Sequence, residues 1–275
     1  MNTKTGKATS IPIIPDPEEQ LVQHEIALRA WFTRDADEIQ QVIDGLDIGW
    51  GGAQRWGTRR MYIPVSGLHL DFACGYGTFL AQLGWRFPSA QLVGLNFDFE
   101  GPHALIGRLL KQADVQACLV QADARYLPFK DGSFTSVSCF LGLQDIEIGF
   151  GQAGMRMAAR EAIRVLQKGC VLYILDNFSC EKFTGLFDGL PADIMEHGEF
   201  TMDVHWDRQV AEHAIALYTE GWVAQARPSD STEWQQIYEE VFSRLKADME
   251  QQLMIKGYYE PFGPIRMVTL RKPFS

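Results

Sequence analysis

The stretch HLDFACGYGT, residues 69–78, decides the fold because it joins an apolar strand to a turn with two glycines. The residues up to Asp71 predict a buried strand that ends in a carboxylate. Gly75 and Gly77 can adopt a positive φ and carry no Cβ, so the backbone of the turn can pass close to a ligand. The third glycine of the dinucleotide-binding fingerprint would fall where the chain has Leu80. The stretch therefore predicts a strand, a ligand-binding turn and a helix, but not a complete dinucleotide fingerprint.

Strand-like and helix-like segments alternate after this turn. The β-rich runs are residues 91–97, 117–121, 136–141 and 170–175, and the helical patterns are residues 103–112 and 154–166. Such alternation predicts an α/β fold with a doubly wound, mostly parallel, Rossmann-like sheet and helices on both faces. Ligands of these sheets bind beyond the carboxyl ends of the strands, which is where the glycine turn is expected to lie.

The chain is predicted to have four parts. These are a mobile arm (1–16), N-terminal helices with a glycine- and tryptophan-rich lid loop (17–66), a ligand-binding core (67–180), and a helical cap with a C-terminal helix and a closing strand of the sheet (181–275). The loop, residues 49–57, is either a connection with packed indoles or a hinged lid. Residues 181–221 show helical pieces and no clear strand. Asp230 is expected to cap the helix that follows it, with Glu233 at the third helical position. Residues 265–270 form the closing strand.

Composition narrows the class of protein. The 275 residues can hold one large α/β domain, and the formal net charge of −10 would repel a nucleic acid backbone. The five cysteines contain no Cys-x-x-Cys pair, which argues against structural zinc and for reduced thiols. No run approaches the roughly 20 apolar residues of a membrane span, and the N-terminus lacks the apolar segment of a secretion signal. We therefore expect a cytoplasmic protein that binds neither nucleic acid nor membrane.

Four ordered motifs resemble those of the class I S-adenosylmethionine-dependent methyltransferases, in particular the small-molecule branch of quinone and natural-product methyltransferases. They are residues 70–77 (LDFACGYG), 93–96 (VGLN), 121–134 (QADARYLPFKDGSF) and 160–169 (REAIRVLQKG). The resemblance covers residues 68–176. It implies methyl transfer from S-adenosylmethionine, with S-adenosylhomocysteine as the product, to an oxygen, nitrogen or carbon atom of a small molecule.

The resemblance also implies roles for individual residues. Asp71 and the turn backbone would face the methionine part of the cofactor, because its ammonium group suits a carboxylate and carbonyl oxygens. Asn96 would contact the ribose hydroxyls, and Asp123 the adenine edge. The predicted cofactor-binding residues are Asp71, Ala73, Gly75, Tyr76, Gly77, Asn96, Phe97, Asp123, Ala124 and Leu141, of which Phe97 and Leu141 would be apolar walls.

Two residues depart from the family's pattern. Ala73 stands where the family usually has a glycine, a change that takes little room. Asn96 stands where the family usually has Asp or Glu, and its amide lacks the charge that strengthens a hydrogen bond to a hydroxyl. The expected consequence is a lower affinity for the cofactor.

Methyl transfer from a sulfonium is an in-line displacement, so a general base is needed only if the acceptor must lose a proton. The candidates are Asp145, Glu147, His197, Asp203 and His205. His205 is preferred because histidine titrates near neutrality, with Asp145 as the second choice. His103 is expected to cap or lie on the helix after Asn96. The chain shows no clustered carboxylates of the kind that hold magnesium, so we predict transfer without a metal.

Three questions stay open at this point. Phe178, Phe183, Phe187, Phe200 and Trp206 are either the wall of an acceptor site or the core of the cap. The alternative functions are a non-catalytic S-adenosylmethionine-binding or interaction protein and a nicotinamide-dependent dehydrogenase, the latter disfavoured by Leu80. The sequence determines neither the acceptor nor the oligomeric state.

Overall fold

A seven-stranded sheet forms the centre of the part of the chain that the computed structural model describes, residues 50–201, 205–226, 228–260 and 263–274. The strands are β1 (Leu68–Phe72), β2 (Gln91–Asn96), β3 (Ala117–Gln121), β4 (Phe134–Phe140), β5 (Leu166–Asp176), β6 (Asp193–Phe200) and β7 (Ile265–Arg271). Their order is β3-β2-β1-β4-β5-β7-β6. The first five strands are parallel, and β7 is antiparallel to both β5 and β6. The predicted doubly wound, mostly parallel sheet is confirmed.

Helices cover both faces of the sheet. They are α1 (Trp50–Thr58), α2 (Thr78–Arg86), α3 (Ile106–Gln112), α4 (Gly142–Val165), α5 (Cys180–Phe187), α6 (Arg208–Ala226) and α7 (Ser231–Lys256), with a 3-10 turn over Gly101–Leu105. One apolar core joins Leu70 and Val137 of the sheet to α4 and α5. A second joins Tyr173 and Leu175 to α2 and α3. Burial on both faces explains why β5 is apolar through its second half.

The carboxyl ends of the parallel strands lie at the same edge of the sheet as the end of β6 and the start of β7. Asp176, the last residue of β5, pairs with Arg266 near the start of β7, and Phe200 at the end of β6 pairs with Ile265. The connections that leave β6 and enter β7 therefore lie at the same edge as the glycine turn after β1. Because ligands of this fold bind at that edge, every segment that leaves it can contribute to a site.

The glycine- and tryptophan-rich lid loop was a wrong expectation, because residues 50–58 form helix α1. Gly57 allows this helix to pack closely on the sheet, because a Cβ at Gly57 would come within 2.2 Å of a Leu175 side-chain atom. Trp56 packs on the other side against Phe200, with ring centroids 5.8 Å apart. The arm (1–16) and the helices predicted over residues 17–49 lie outside the described residues.

The expectation that residues 181–221 contain no strand was also wrong. Strand β6 lies there at the edge of the sheet, paired with β7 alone. An edge strand is half exposed, and DIMEHGEF carries charges where a buried strand would have apolar side chains. The C-terminal strand β7 accordingly lies between β5 and β6 rather than at the edge. Its sequence predicts a strand but not its place in the sheet.

The cap consists of α6 and α7, which pack on each other around Trp206, Ile215 and Met249. The predicted N-cap residue of helix α7 is confirmed: Asp230 Oδ1 accepts hydrogen bonds from the backbone N–H groups of Thr232 (2.8 Å) and Glu233 (2.9 Å). Among the described residues, no helix combines the length and apolar character needed to cross a membrane.

Candidate functional site

The turn after β1 is held in a shape that exposes its backbone. Gly75 and Gly77 have φ values of 53° and 82°, in the left-handed region that favours glycine. A Cβ at Gly77 would lie 2.5 Å from Ile106, whereas a Cβ at Gly75 would meet no atom within 4 Å. Gly77 is thus required for packing, whereas the space beside the Cα of Gly75 is open.

Two strained residues lie beside this turn. Ala73 (φ 52°) and Leu141 (φ 58°) occupy the left-handed region, which costs a residue with a side chain about 1–2 kcal/mol. The methyl group of Ala73 has room because the facing residue is Gly142, where a Cβ would come within 2.5 Å of it. The Ala73 departure therefore takes little room, as expected, but carries a conformational cost. Such strain clusters at functional sites.

Asp71 supplies a buried acceptor at this edge. Its Oδ1 accepts a hydrogen bond from Ser138 Oγ at 2.7 Å, while Oδ2 is buried without a hydrogen-bond partner among the described residues. Burial raises the pKa of Asp71 to about 7, although the Ser138 hydrogen bond opposes the rise. A buried oxygen without a donor is suited to a ligand that brings one, such as an ammonium group.

Behind Asp71 lies a polar row that sequence reasoning missed. His69 Nδ1 is 2.7 Å from Ser136 Oγ, and its Nε2 is 2.9 Å from Ser138 Oγ. All of these side chains are buried. The signal was present in the sequence, since His69 and Asp71 are two residues apart on β1, as are Ser136 and Ser138 on β4.

Helix α1 contributes a further buried polar group, Gln54. Its Nε2 donates to Thr78 Oγ1 at 2.8 Å, at the start of α2 and directly after the glycine turn. Its Oε1 is buried without a partner in the described part of the chain. Sequence reasoning missed this residue because the segment was interpreted as a loop.

Asn96 holds the glycine turn in place. Its Oδ1 accepts from Gly75 N–H at 2.9 Å, and its Nδ2 donates to Gly75 C=O at 2.8 Å. A carboxylate could accept the first bond but could not donate the second, which gives a physical reason for an amide at this position. The predicted ribose contact stays a prediction, to which Asn96 can bring only its remaining N–H and lone pair.

Asp123, which was predicted to bind the adenine edge, is also bound by another group of the protein. Asp123 accepts from Arg125 Nε at 3.0 Å and Nη2 at 2.6 Å, and these bonds hold the pKa of Asp123 below its usual range. The Arg125 guanidinium lies 3.5 Å from the centroid of the Phe150 ring. Phe150 in turn is 6.1 Å from Phe97, whose side chain is 61% exposed at the end of β2. The predicted contact of Asp123 and Ala124 with adenine and the predicted apolar wall at Phe97 both stay predictions.

The fourth motif has a structural role. Arg164 donates to the backbone carbonyls of Leu127 (2.9 Å) and Phe129 (2.8 Å) and pairs with Glu161 and Asp131. Glu161 Oε2 accepts from Leu127 N–H at 2.8 Å. This clamp positions the loop that follows Asp123.

Two carboxylates with raised pKa values lie near the ends of β4 and β5. Asp176, which sequence reasoning missed, is buried, and its pKa is raised to about 7 by burial, with a further contribution from Asp145. Its Oδ1 and Oδ2 accept from the backbone N–H groups of Asn177 and Gln144. Asp145 is accessible to solvent, yet desolvation raises its pKa to about 6.

The other predicted bases lie in different surroundings. His205 contacts the Tyr258 ring (4.2 Å between centroids) and Glu260 (3.5 Å), in the connections that leave β6 and enter β7.

Glu147 pairs with Lys182, and His197 is exposed on β6. Asp203 lies outside the described residues. As predicted, His103 lies on the helical segment that follows Asn96, here the 3-10 turn, with its Nδ1 3.6 Å from Asp98 Oδ1.

The aromatic residues proposed as an acceptor wall belong mainly to the cores. Phe178, Phe183 and Phe187 are buried in the core under α4 and α5, and Trp206 is buried between the cap helices. Phe200 packs on Trp56. Of this set, only Trp206 belongs to the core of the cap, and the three buried phenylalanines belong to the core between the sheet and helices α4 and α5.

The comparisons with known proteins agree with this geometry. A family profile described as a methyltransferase domain matches residues 70–169, which include the glycine turn, Asn96 and Asp123. The chain is 31% identical to a demethylmenaquinone methyltransferase of Thermus thermophilus over 133 residues. This alignment covers 47% of this chain and 57% of that protein. Over residues 70–169 the chain is therefore similar to methyltransferase domains.

Other relatives define the extent of this family likeness. A demethylmenaquinone methyltransferase of Roseiflexus castenholzii is 34% identical over 133 residues, 48% of this chain and 50% of that protein. The matched segment thus spans about half the length of these methyltransferase relatives.

Solved methyltransferase-fold structures extend the likeness to most of the chain. The structure of the [4+2]-cyclase SpnF superposes on this chain with a TM-score of 0.56 at 14% sequence identity. The superposition covers 82% of this chain and 81% of the SpnF chain. A candidate methyltransferase from Bacillus halodurans superposes with a TM-score of 0.55 at 17% identity, covering 81% and 99%. At these identities the likeness shows the fold alone.

Proposed function

We propose that this protein transfers a methyl group from S-adenosylmethionine to an oxygen, nitrogen or carbon atom of a small molecule. The observation that carries the proposal is the buried Oδ2 of Asp71, which has no hydrogen-bond partner among the described residues, together with the open space at the Cα of Gly75. When bound, S-adenosylmethionine supplies an electrophilic methyl group on a positively charged sulfur.

The residues present fit the methionine end of this cofactor. An ammonium group brings three donors, and Asp71 Oδ2 and Gln54 Oε1 are buried acceptors that lack them among the described residues. An ammonium beside Asp71 would also favour its ionised form and so offset the cost of burying it. Asp71 would therefore bind and orient the donor, and Gly75 would let it approach the backbone closely.

The acceptor side of the proposal follows from the surroundings of the strand ends. Phe97 and Leu141 would provide apolar walls that exclude water from the reacting atoms. Asp145 and His205 remain the proposed bases, and Asp176 joins them because its raised pKa lets it hold or release a proton near neutral pH. The names of the relatives make demethylmenaquinone-like quinones the first acceptors to test. The net charge of −10 argues against a nucleic acid substrate.

Calorimetry with S-adenosylmethionine, S-adenosylhomocysteine and NADH tests the cofactor. We expect both sulfur nucleosides to bind and NADH not to bind. Binding of NADH alone would overturn the proposal in favour of a dehydrogenase. A methyl-donor assay with reduced quinones and with a metabolite extract then follows incorporation of an isotopically labelled methyl group.

A second candidate is a protein that binds the cofactor without transferring its methyl group. Two observations favour it: Asn96 and Asp123 are engaged by Gly75 and Arg125, and a protein described as a cyclase shares the fold. Tight donor binding without incorporation of label into any acceptor would select this alternative.

A further inference from the structure

We propose that His69 is a positioning residue that acts through Ser138 to hold the Asp71 carboxylate with one oxygen directed toward the ammonium group of the donor. The proposal rests on the proposed function, since it assigns a task to residues behind the same site. It concerns a row of four side chains, Ser136, His69, Ser138 and Asp71, which we call the polar row.

The sheet register aligns the polar row. His69 is the direct cross-strand neighbour of Ser136, and Asp71 that of Ser138. Side chains two residues apart on a strand point to the same face, so the four groups alternate between β1 and β4 along one face. The contacts follow this order at 2.7, 2.9 and 2.7 Å. The row ends at Asp71, whose second oxygen has no partner in the described part of the chain.

The chemistry of the groups gives the row a direction. An ionised carboxylate only accepts, so Ser138 must donate its single hydroxyl proton to Asp71 Oδ1. Ser138 can then only accept from His69, which places the proton of the imidazole on Nε2. His69 Nδ1 is left as an acceptor for the Ser136 hydroxyl. Each bond polarises the next toward Asp71 and strengthens the one donor that holds its Oδ1.

The imidazole acts as a neutral group in this arrangement. Complete burial lowers the pKa of His69 to about 3, so it carries no charge near neutral pH. Two thiols, those of Cys74 and Cys139, interact electrostatically with Asp71. Both are buried, and burial raises their pKa values well above the usual range. The charge of Asp71 is therefore stabilised by the directed hydrogen bonds of the row and, when a donor is present, by its ammonium group.

A purely structural histidine would fill the same volume without affecting how Asp71 titrates. Three variants separate the two roles. His69→Leu removes the donor to Ser138, His69→Gln can still place an N–H near the position of Nε2, and Ser138→Ala removes the last link. Ser136→Ala, which breaks only the distal link, is the matched control.

The first measurement is the dissociation constant of S-adenosylhomocysteine by calorimetry between about pH 5 and 9, corrected for the separately measured titration of the ligand's amino group. Binding should strengthen with pH as Asp71 ionises. We expect Ser138→Ala and His69→Leu to move the midpoint of this acid limb upward by about one pH unit, which is about tenfold weaker binding below the midpoint. His69→Gln should restore the wild-type midpoint, and Ser136→Ala should move it least.

The second measurement is the ¹³C shift of the Asp71 carboxyl against pH in the ligand-free protein, assigned with Asp71→Asn. It should show the same order of midpoints. A His69→Leu variant with the wild-type midpoint, or with binding weakened equally at all pH values, would overturn the proposal and leave His69 a core residue. If the wild-type protein binds no sulfur nucleoside, the proposed function fails, and the ¹³C titration alone still decides whether the row controls Asp71. If His69→Leu does not fold, Ser138→Ala against Ser136→Ala makes the same comparison.

Discussion

Replacing Asp71 by Asn should make the protein more stable at alkaline pH and less able to bind its donor. The pKa of Asp71 is raised from 3.8 to about 7, which corresponds to about 4 kcal/mol against the ionised form at high pH. Between these two values the folded protein binds more protons than the unfolded chain, so this group makes the wild-type free energy of unfolding fall as pH rises. The asparagine of the variant carries no charge and removes that fall.

The two effects of the substitution should cross within the accessible pH range. Asn can still accept from Ser138, but its buried N–H lacks a partner, which costs about 1–3 kcal/mol at every pH. We therefore expect Asp71→Asn to be less stable than wild type near pH 4.5 and more stable by about 1–3 kcal/mol near pH 8. Donor affinity should fall by about 1.5–3 kcal/mol through loss of a charge-assisted hydrogen bond.

Urea unfolding of both proteins at several pH values, followed by tryptophan fluorescence, measures the difference. Asp123→Asn is the matched control, because the pKa of Asp123 is lowered by Arg125. Its stabilising contribution is present above the unfolded-state pKa and is lost in acid, so that variant should be destabilised at pH 8. A stability difference between Asp71→Asn and wild type that does not change between pH 5 and 8 would refute the reasoning.

Three further outcomes are expected. Asn96→Asp loses the bond to Gly75 C=O and places a carboxylate against that oxygen, so the free energy of unfolding should fall by about 1–3 kcal/mol; an unchanged value in denaturant titration would show that the turn does not depend on Asn96. Gly142→Ala places a Cβ 2.5 Å from the Cβ of Ala73 and 2.9 Å from Cys139 Sγ, and should lower the free energy of unfolding by about 1–3 kcal/mol. Gly149→Ala, whose Cβ would meet no atom within 4 Å, should lower it far less. Equal melting temperatures for the two variants would contradict this packing. Arg164→Met removes the hydrogen bonds to the carbonyls of Leu127 and Phe129 and should lower the free energy of unfolding by about 2–4 kcal/mol. The control Arg160→Met, at an exposed position, should change it little. Hydrogen exchange over residues 127–131 should become faster in the Arg164 variant only.

The fold could be predicted from local patterns because each of its core elements is encoded by neighbouring residues. The strand that ends at Asp71, the turn through Gly75 and Gly77, and the cap at Asp230 all depend on residues within a few positions of one another. Prediction was wrong where a distant partner decides the structure. Strand β6 exists because β7 offers it an edge, and α1 is a helix whose Gly57 fits against Leu175.

The sequence by itself determined the parallel part of the sheet, the position of the glycine turn and the family likeness of the residues around it. Only the tertiary structure decided what those residues contact. Asn96 was expected at a ribose and is bound to Gly75, and Asp123 was expected at adenine and is paired with Arg125. His69 meets Ser136 and Ser138, 67 and 69 residues later, because the register of β1 and β4 brings them together. Backbone periodicity is a property of adjacent residues, whereas the partner of a buried polar group depends on which strands and helices pack around it.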